Sequence, residues 1–372
     1  MRGVIWDVLM RPLSGILFSL SSLLLLTGVV VAAPFAYITE QGADTVSVID
    51  AATNTVAASI PVLPYPTGVA ANLQGTRVYV ANAASALLSV INAASNVVIT
   101  TIPVGGFPHG VAVNPAGTRV YVTNRQLVVP SPLPSNSVSV VDTATNTVIA
   151  TVPVGFDPIG VAVHPDGSRV YVTNQDGSLS VIDAASNTVS ATVGVGYGPQ
   201  GVAVHPNGSR VYVANGGESS ISVVDTTTNV VTTTISVGAG PAGIAVNPAG
   251  TRIFATLSGQ NSVAVVDTVS NAQIATVPVG SVPIGVAVNP SGTHVYVANF
   301  SSNSVSVIDV AMNVVVETIG GLNGPLAFGQ FFGPEAGLHA PVSIPTLSEW
   351  GLIVLLLLLA ITGAYKVHVR RC

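Results

Sequence analysis

Few side chains in this sequence could do chemistry, and most of those recur at a fixed interval. Only 7% of its 372 residues are charged, against about 25% in ordinary soluble domains. Arg77, Arg119, Arg169, Arg210 and Arg252 each open a short apolar segment, and Asp50, Asp142, Asp183, Asp225, Asp267 and Asp309 each close one. Residues that break this rhythm are more informative: Glu40, His109, Arg125, Asp157, Asp176, Gln200 and Glu218, with the recurrent Asn124 beside them. None of them forms a marked nucleophile–base pair or a metal-ligand spacing. His164 and His205 precede prolines in a slot filled elsewhere by Asn114, Asn247 and Asn289, which makes them turn residues rather than metal ligands. The single cysteine, Cys372, allows neither an intrachain disulfide nor a cysteine metal cluster. Between the two ends the only basic residues are six arginines, too few and too scattered to track a phosphate backbone, so nucleic acid is not an expected partner.

The elements that must position these residues are repeats. Arg119-Val-Tyr-Val-Thr-Asn124 recurs in variants, placing an aromatic at 37, 79, 121, 171, 212, 254 and 296. Six steps separate these positions; five are 41 or 42 residues and one is 50, the long step being an insertion within Arg125 to Ser135 that carries three prolines. Each unit reads as four strands, for example Pro158–Val163, Arg169–Thr173, Leu179–Ile182 and Thr188–Val195, joined by turn residues such as Asp166-Gly167. Their alternate faces hold Val or Ile against Ser, Thr or Ala, as sheets stacked on both sides require. Tandem four-stranded units of this length indicate an all-β fold, a single seven-bladed β-propeller of antiparallel blades. The chain enters at a second strand, Phe35 to Thr39, and leaves at a lone first strand, Gly324 to Phe328, so the first blade is assembled from both ends and no sheet edge is left open.

The antiparallel register sets each strand-opening arginine beside the aspartate of the third strand, so pairs such as Arg119 with Asp142 are expected across the strands, with each aspartate also bonding the backbone of its own turn. Asn54, Asn96, Asn146, Asn187, Asn229, Asn271 and Asn313 fall in the turn after the third strand, where asparagine tolerates a left-handed backbone.

On Tyr121 to Asn124 and Tyr171 to Asn174, the repeats from about 35 to 333 resemble the YVTN family of β-propellers, known from bacterial and archaeal surface proteins. Propellers bind ligands on the face that carries the loops into the first strand and between the second and third. Glu40, His109, Asn124, Arg125, Asp157, Asp176 and Gln200 are therefore the candidate ligand-binding residues. Similarity to lactonase-like propellers would make Glu40, Asn124 and Asp157 an imitation of a metal site.

The ends supply an address. Arg2 and Arg11 precede an apolar run from about Leu13 to Val31 and then Ala32 and Ala33, the layout of a signal peptide over residues 1–33. After a linker at 334–343, Ile344, Pro345, Thr346, Leu347, Trp350 and Gly351 are followed by a leucine run and by Lys366, Arg370 and Arg371. An apolar helix ended by basic residues reads as a membrane anchor with a cytoplasmic tail. The segment 344–372 resembles the IPTL-CTERM sorting signal, which implies an exosortase-like membrane protease as a partner. The expected protein is an exported envelope or surface protein with no cofactor, whose propeller, spanning 34–333, binds a protein or glycan or serves structurally. The alternative is a periplasmic metal-dependent hydrolase or redox enzyme with its site in the central funnel.

Overall fold

The computed structural model describes residues 34–126 and 135–333. The signal peptide, most of the loop insertion and the sorting tail lie outside them. The described residues form seven antiparallel sheets in sequence order, six of them complete four-stranded blades. Blade 4, for instance, consists of Pro158–Val163, Arg169–Asn174, Ser178–Asp183 and Thr188–Gly194. The first strands of neighbouring blades meet around the axis, and the fourth strands form the perimeter. Every perimeter strand carries a one-residue bulge, as between Val181 and Ile182 in their pairing with Ala191 and Val189. Such bulges twist the exposed edge away from foreign strands.

Blade 1 consists of Phe35–Glu40, Thr45–Asp50 and Thr55–Pro61, and the chain's far end supplies its first strand. Pro325 bridges Glu40, Phe332 bridges Ala36, the Tyr37 N–H donates to the Phe331 carbonyl at 2.8 Å and the Leu326 N–H to the Thr39 carbonyl at 2.9 Å. The closure expected from the strand count is therefore present, with pairing that continues beyond Phe328 to Phe332. In blade 2 the proline Pro66 and the residue opposite the tyrosine, Ala70, are four apart. In blade 1 Pro325 and Phe331 are six apart, so this strand carries two extra residues. They swing toward the axis, where the Phe328 carbonyl accepts from the Val69 N–H at 3.0 Å and Gly329 bridges Val111 of blade 3.

Each recurrent aromatic is buried between blades. Tyr121 packs on Val170 and Val172 of the next blade, Tyr171 on Val211 and Val213, and Phe254 on Val295 and Val297. Burying rings of this size is worth about 1.5–3 kcal/mol each. Burial pushes the hydroxyls of Tyr37 and Tyr296 up to about 12.

The strand-opening arginines correct the expected ion pairs. Arg119 and Asp142 are register partners, yet the Arg119 guanidinium reaches the next blade and donates to the Ala184 carbonyl at 2.9 Å and to Asn187 Oδ1 at 3.2 Å. Arg77 does the same to Thr143, Arg169 to Thr226, Arg210 to Thr268 and Arg252 to Val310. The aspartates do close their own turns as expected: Asp142 accepts the Thr145 N–H at 2.8 Å and its hydroxyl at 3.0 Å, and these bonds hold its carboxyl below the usual carboxylate range. An arginine is long enough to cross to a neighbouring blade, and the aspartate beside it is already engaged by donors of its own turn. At the seam between blades 7 and 1, His294 stands in the arginine's slot and the Tyr296 hydroxyl donates to Asn54 Oδ1 at 2.5 Å. The seven turn asparagines all have φ between 52° and 55°, the left-handed conformation expected of them.

Candidate functional site

The blade motif builds the inner wall before any ligand is considered. Its asparagine ends the second strand, fully buried, and donates to two serines of the third: Asn124 to Ser137 and Ser139 at 3.0 Å each, Asn174 to Ser178 at 3.0 Å and Ser180 at 2.9 Å. Its threonine relays hydrogen bonds between blades. Thr123 Oγ1 accepts from the Gly110 N–H at 2.7 Å and donates to the Ile159 carbonyl of the next blade at 2.9 Å. Thr173 links Gly160 to Gln200, Thr256 links Gly243 to Ile284, and Thr39 links Ala327 to Thr67 in the same way. The first strands approach so closely that a Cβ on Gly160 would lie 2.5 Å from the Gln200 carbonyl. Only glycine fits there.

His109 and Gln200 occupy equivalent places in their first strands, each between the entry proline and this glycine. His109 meets the inserted Phe328 edge to face, with ring centroids 5.0 Å apart. Its Nδ1 is buried without a protein partner among the described residues. Burial, reinforced by the nearby Arg125 guanidinium, pushes the imidazole down to about 3, so it is neutral at physiological pH. The segment that contributes Phe328 is itself buried: Leu326, Ala327 and Phe328 are each under a tenth exposed. The chain's own last strand thus occupies the axis between blades 1, 2 and 3.

Arg125 and Asp157 form a bidentate pair, Nε to Oδ1 at 2.9 Å and Nη2 to Oδ2 at 2.7 Å. Asp157 sits immediately before the entry proline with φ 50°, its N–H held by Asn136 Oδ1 at 2.9 Å. All seven residues in this slot are left-handed: Tyr65, Phe107, Asp157, Val282 and three glycines. For the bulky and β-branched members this is strained backbone.

Of the seven candidate residues, the structure brings together His109, Arg125 and Asp157, with Asn124 adjoining Arg125 in the chain. Asp176 belongs to the same blade as Asp157 and accepts the N–H of its neighbour Phe156 at 3.0 Å and the Ser178 hydroxyl at 2.6 Å. Gln200 lies one blade on, half-buried. Glu40 is at the closure seam, 5% exposed. One of its carboxylate oxygens accepts the Ser47 hydroxyl and the other the Asn323 N–H at 2.6 Å.

Glu40, Asn124 and Asp157 do not fit a metal. They belong to different blades, and both oxygens of Glu40 and of Asp157 already have donors; the Asn124 amide nitrogen is held by its two serines, and its Oδ1, unpaired among the described residues, is left with no carboxylate free to join it. Among the described residues no three His, Cys, Asp or Glu side chains gather closely enough to hold an ion.

Three features escape sequence reasoning: the threonine relay, the two extra residues at the axis, and a shallow groove of about 430 Å³ over the seam between blades 7 and 1. The literal Tyr-Val-Thr-Asn repeat was a signal for the first, since a lone hydroxyl between buried valines needs a partner. The groove is formed by loops from both ends of the chain, which no local pattern links.

Residues 67–285, more than half the chain, match the choice-of-anchor I domain, and residues 342–371 match the IPTL-CTERM motif. No curated protein matches the sequence. Among solved structures, hydrazine synthase of Kuenenia stuttgartiensis is similar with a TM-score of 0.68 at 24% identity, covering 74% of this chain and 92% of that one. A protein of unknown function from Desulfotomaculum acetoxidans has a TM-score of 0.70 at 16% identity, covering 79% and 98%. A Bacteroides uniformis protein proposed to be a 6-phosphogluconolactonase has 0.67 at 18%, also covering 79% and 98%. At these identities the likeness is one of fold.

Proposed function

The chain belongs to the choice-of-anchor I domain family, and from that premise we propose that it is an exported envelope protein whose propeller is a non-enzymatic binding or structural module. The choice-of-anchor domain and the IPTL-CTERM motif support display at the cell surface. In this reading residues 1–33 are a signal peptide, 34–333 the propeller, 334–343 a linker and 344–372 the sorting signal. An exosortase-like protease reads the Ile344–Leu347 motif while the following helix rests in the inner membrane, with Lys366, Arg370 and Arg371 on the cytoplasmic side. Candidate contact residues on the displayed face are His109, Arg125, Asp157, Asp176 and Gln200.

One observation carries the non-enzymatic reading. Near the axis Arg125 and Asp157 already hold each other, and the His109 imidazole packs edge to face on Phe328 of the chain's own closing strand. Metal analysis of natively purified protein, before and after incubation with calcium, zinc and manganese, tests it. Far less than one equivalent of retained metal is the expected result. One tightly held equivalent that disappears in Asp157→Asn would overturn it in favour of a metal-dependent hydrolase or redox enzyme.

A further inference from the structure

We propose that the groove over the seam between blades 7 and 1 binds a neutral oligosaccharide. The inference rests on the envelope-display reading and gives that display a ligand class and a site. The groove lies on the face that carries the loops into the first strands, and is lined by Gln41, Tyr65, Phe300, Ser301, Asn303 and Asn323. Two aromatic rings, three carboxamides and a hydroxyl, with no ionisable group except the phenol of Tyr65, suit a sugar. A ring face packs against the C–H face of a pyranose, and amides bond its hydroxyls as both donor and acceptor. A phosphorylated, sulfated or carboxylated ligand would find no counter-charge in the lining. The Glu40 carboxylate is buried and bonded to the Asn323 N–H and to Ser47, so it fixes the floor rather than presenting charge. The groove, about 430 Å³ and open to solvent, is a shallow surface site rather than an enclosed pocket.

Two further observations point to the same face. Among the described aromatic side chains, the strongly exposed ones are Tyr65 at 52%, Phe156 at 52% and Tyr197 at 67%. All three belong to loops entering first strands, in a chain only 5% aromatic. Tyr65 is also held where a glycine would be unstrained. Its φ is 61°, its N–H is fixed by Asp44 Oδ1 at 2.9 Å, and the equivalent slot holds Gly198, Gly240 and Gly324 in three other loops. The slot thus holds a large ring in an exposed position at the edge of the groove. The carboxamides are available: Gln41 and Asn323 make no side-chain hydrogen bond among the described residues, and Asn303 uses only its oxygen, which accepts from the Gly324 N–H at 2.8 Å.

The test is affinity electrophoresis of the full chain in mild detergent through gels containing dextran, galactomannan, xyloglucan or a mixed-linkage β-glucan. Hyaluronan serves as the acidic comparator and a proline-rich peptide as the protein-type comparator. Retardation by at least one neutral glycan is expected. Tyr65→Gly and Phe300→Ala should weaken it at least tenfold, whereas Tyr197→Ala, outside the groove, should change it less than threefold. Tyr65→Gly relieves strain and should melt at or above the wild-type temperature, so its loss of binding cannot be attributed to unfolding. The proposal is overturned by no retardation in any neutral gel, by wild-type retardation of Tyr65→Gly, or by binding confined to hyaluronan or the peptide. Each of these leaves the envelope-display reading standing, because that reading is tested by metal content and by processing.

Discussion

Glu40 replaces the motif asparagine in the one blade assembled from both chain ends, and removing its carboxylate should loosen the closure. In Glu40→Ala the Ser47 hydroxyl and the Asn323 N–H lose their shared acceptor, the second bond joining residues 283 apart in sequence. A hydrogen bond to a charged group contributes about 1.5–3 kcal/mol. Asn323 is exposed, so water replaces part of the second bond, and the lower end of the range gives a loss of about 3 kcal/mol. For a domain of more than 200 residues this lowers the melting temperature by about 6 °C. Glu40→Gln should cost less than about 1 kcal/mol, because a carboxamide can donate to Ser47, as Asn82 donates to Ser89 at 2.9 Å, and still accept from Asn323. Urea titration followed by circular dichroism reads both. If Glu40→Ala unfolds at the wild-type midpoint, or Glu40→Gln is as damaging as Glu40→Ala, the carboxylate does not hold the seam.

Other predictions address the blade contacts and the axis. Arg119→Met should lose about 1–3 kcal/mol in the same titration, since the carbonyl of Ala184 and Asn187 Oδ1 lose their donor. Gly160→Ala should cost more than about 3 kcal/mol or prevent soluble expression, as its Cβ meets the Gln200 backbone. Gly194→Ala, with open space around the added methyl, should be neutral or slightly stabilising. His109 is neutral when folded, with its pKa pushed down to about 3 against about 6.5 unfolded. Between those values the unfolded chain binds the extra proton, so stability should fall as pH drops below 6.5, by up to about 1.4 kcal/mol per pH unit. His109→Gln should flatten that slope; an unchanged slope would show that the imidazole is not the group responsible.

The architecture was legible because a 42-residue period constrains every blade at once. The count of first and second strands required blade 1 to close from both ends, and the left-handed turn asparagines followed from residue chemistry. The arginines were misread because register gives the neighbour along a sheet, whereas a long side chain chooses among acceptors in the next sheet as well. The site was the least legible part. Asp157, a candidate ligand-binding residue in the sequence, is held by Arg125, whose loop comes from the preceding blade. Tyr65 and Asn323 are more than 250 positions apart and face one groove only because the ring closes between them. Neither the two extra residues before Phe331 nor their position at the axis is marked by any motif.

We propose that this propeller is exported and delivered to the envelope through a sorting tail that is processed on the way. Mass spectrometry of the protein recovered from the surface of intact cells tests that claim most directly, since the mature termini record both processing events. We expect an N-terminus just after Ala33, no apolar helix after Gly351, and an intact propeller. The unprocessed 372-residue chain in the soluble cytosol would contradict the account.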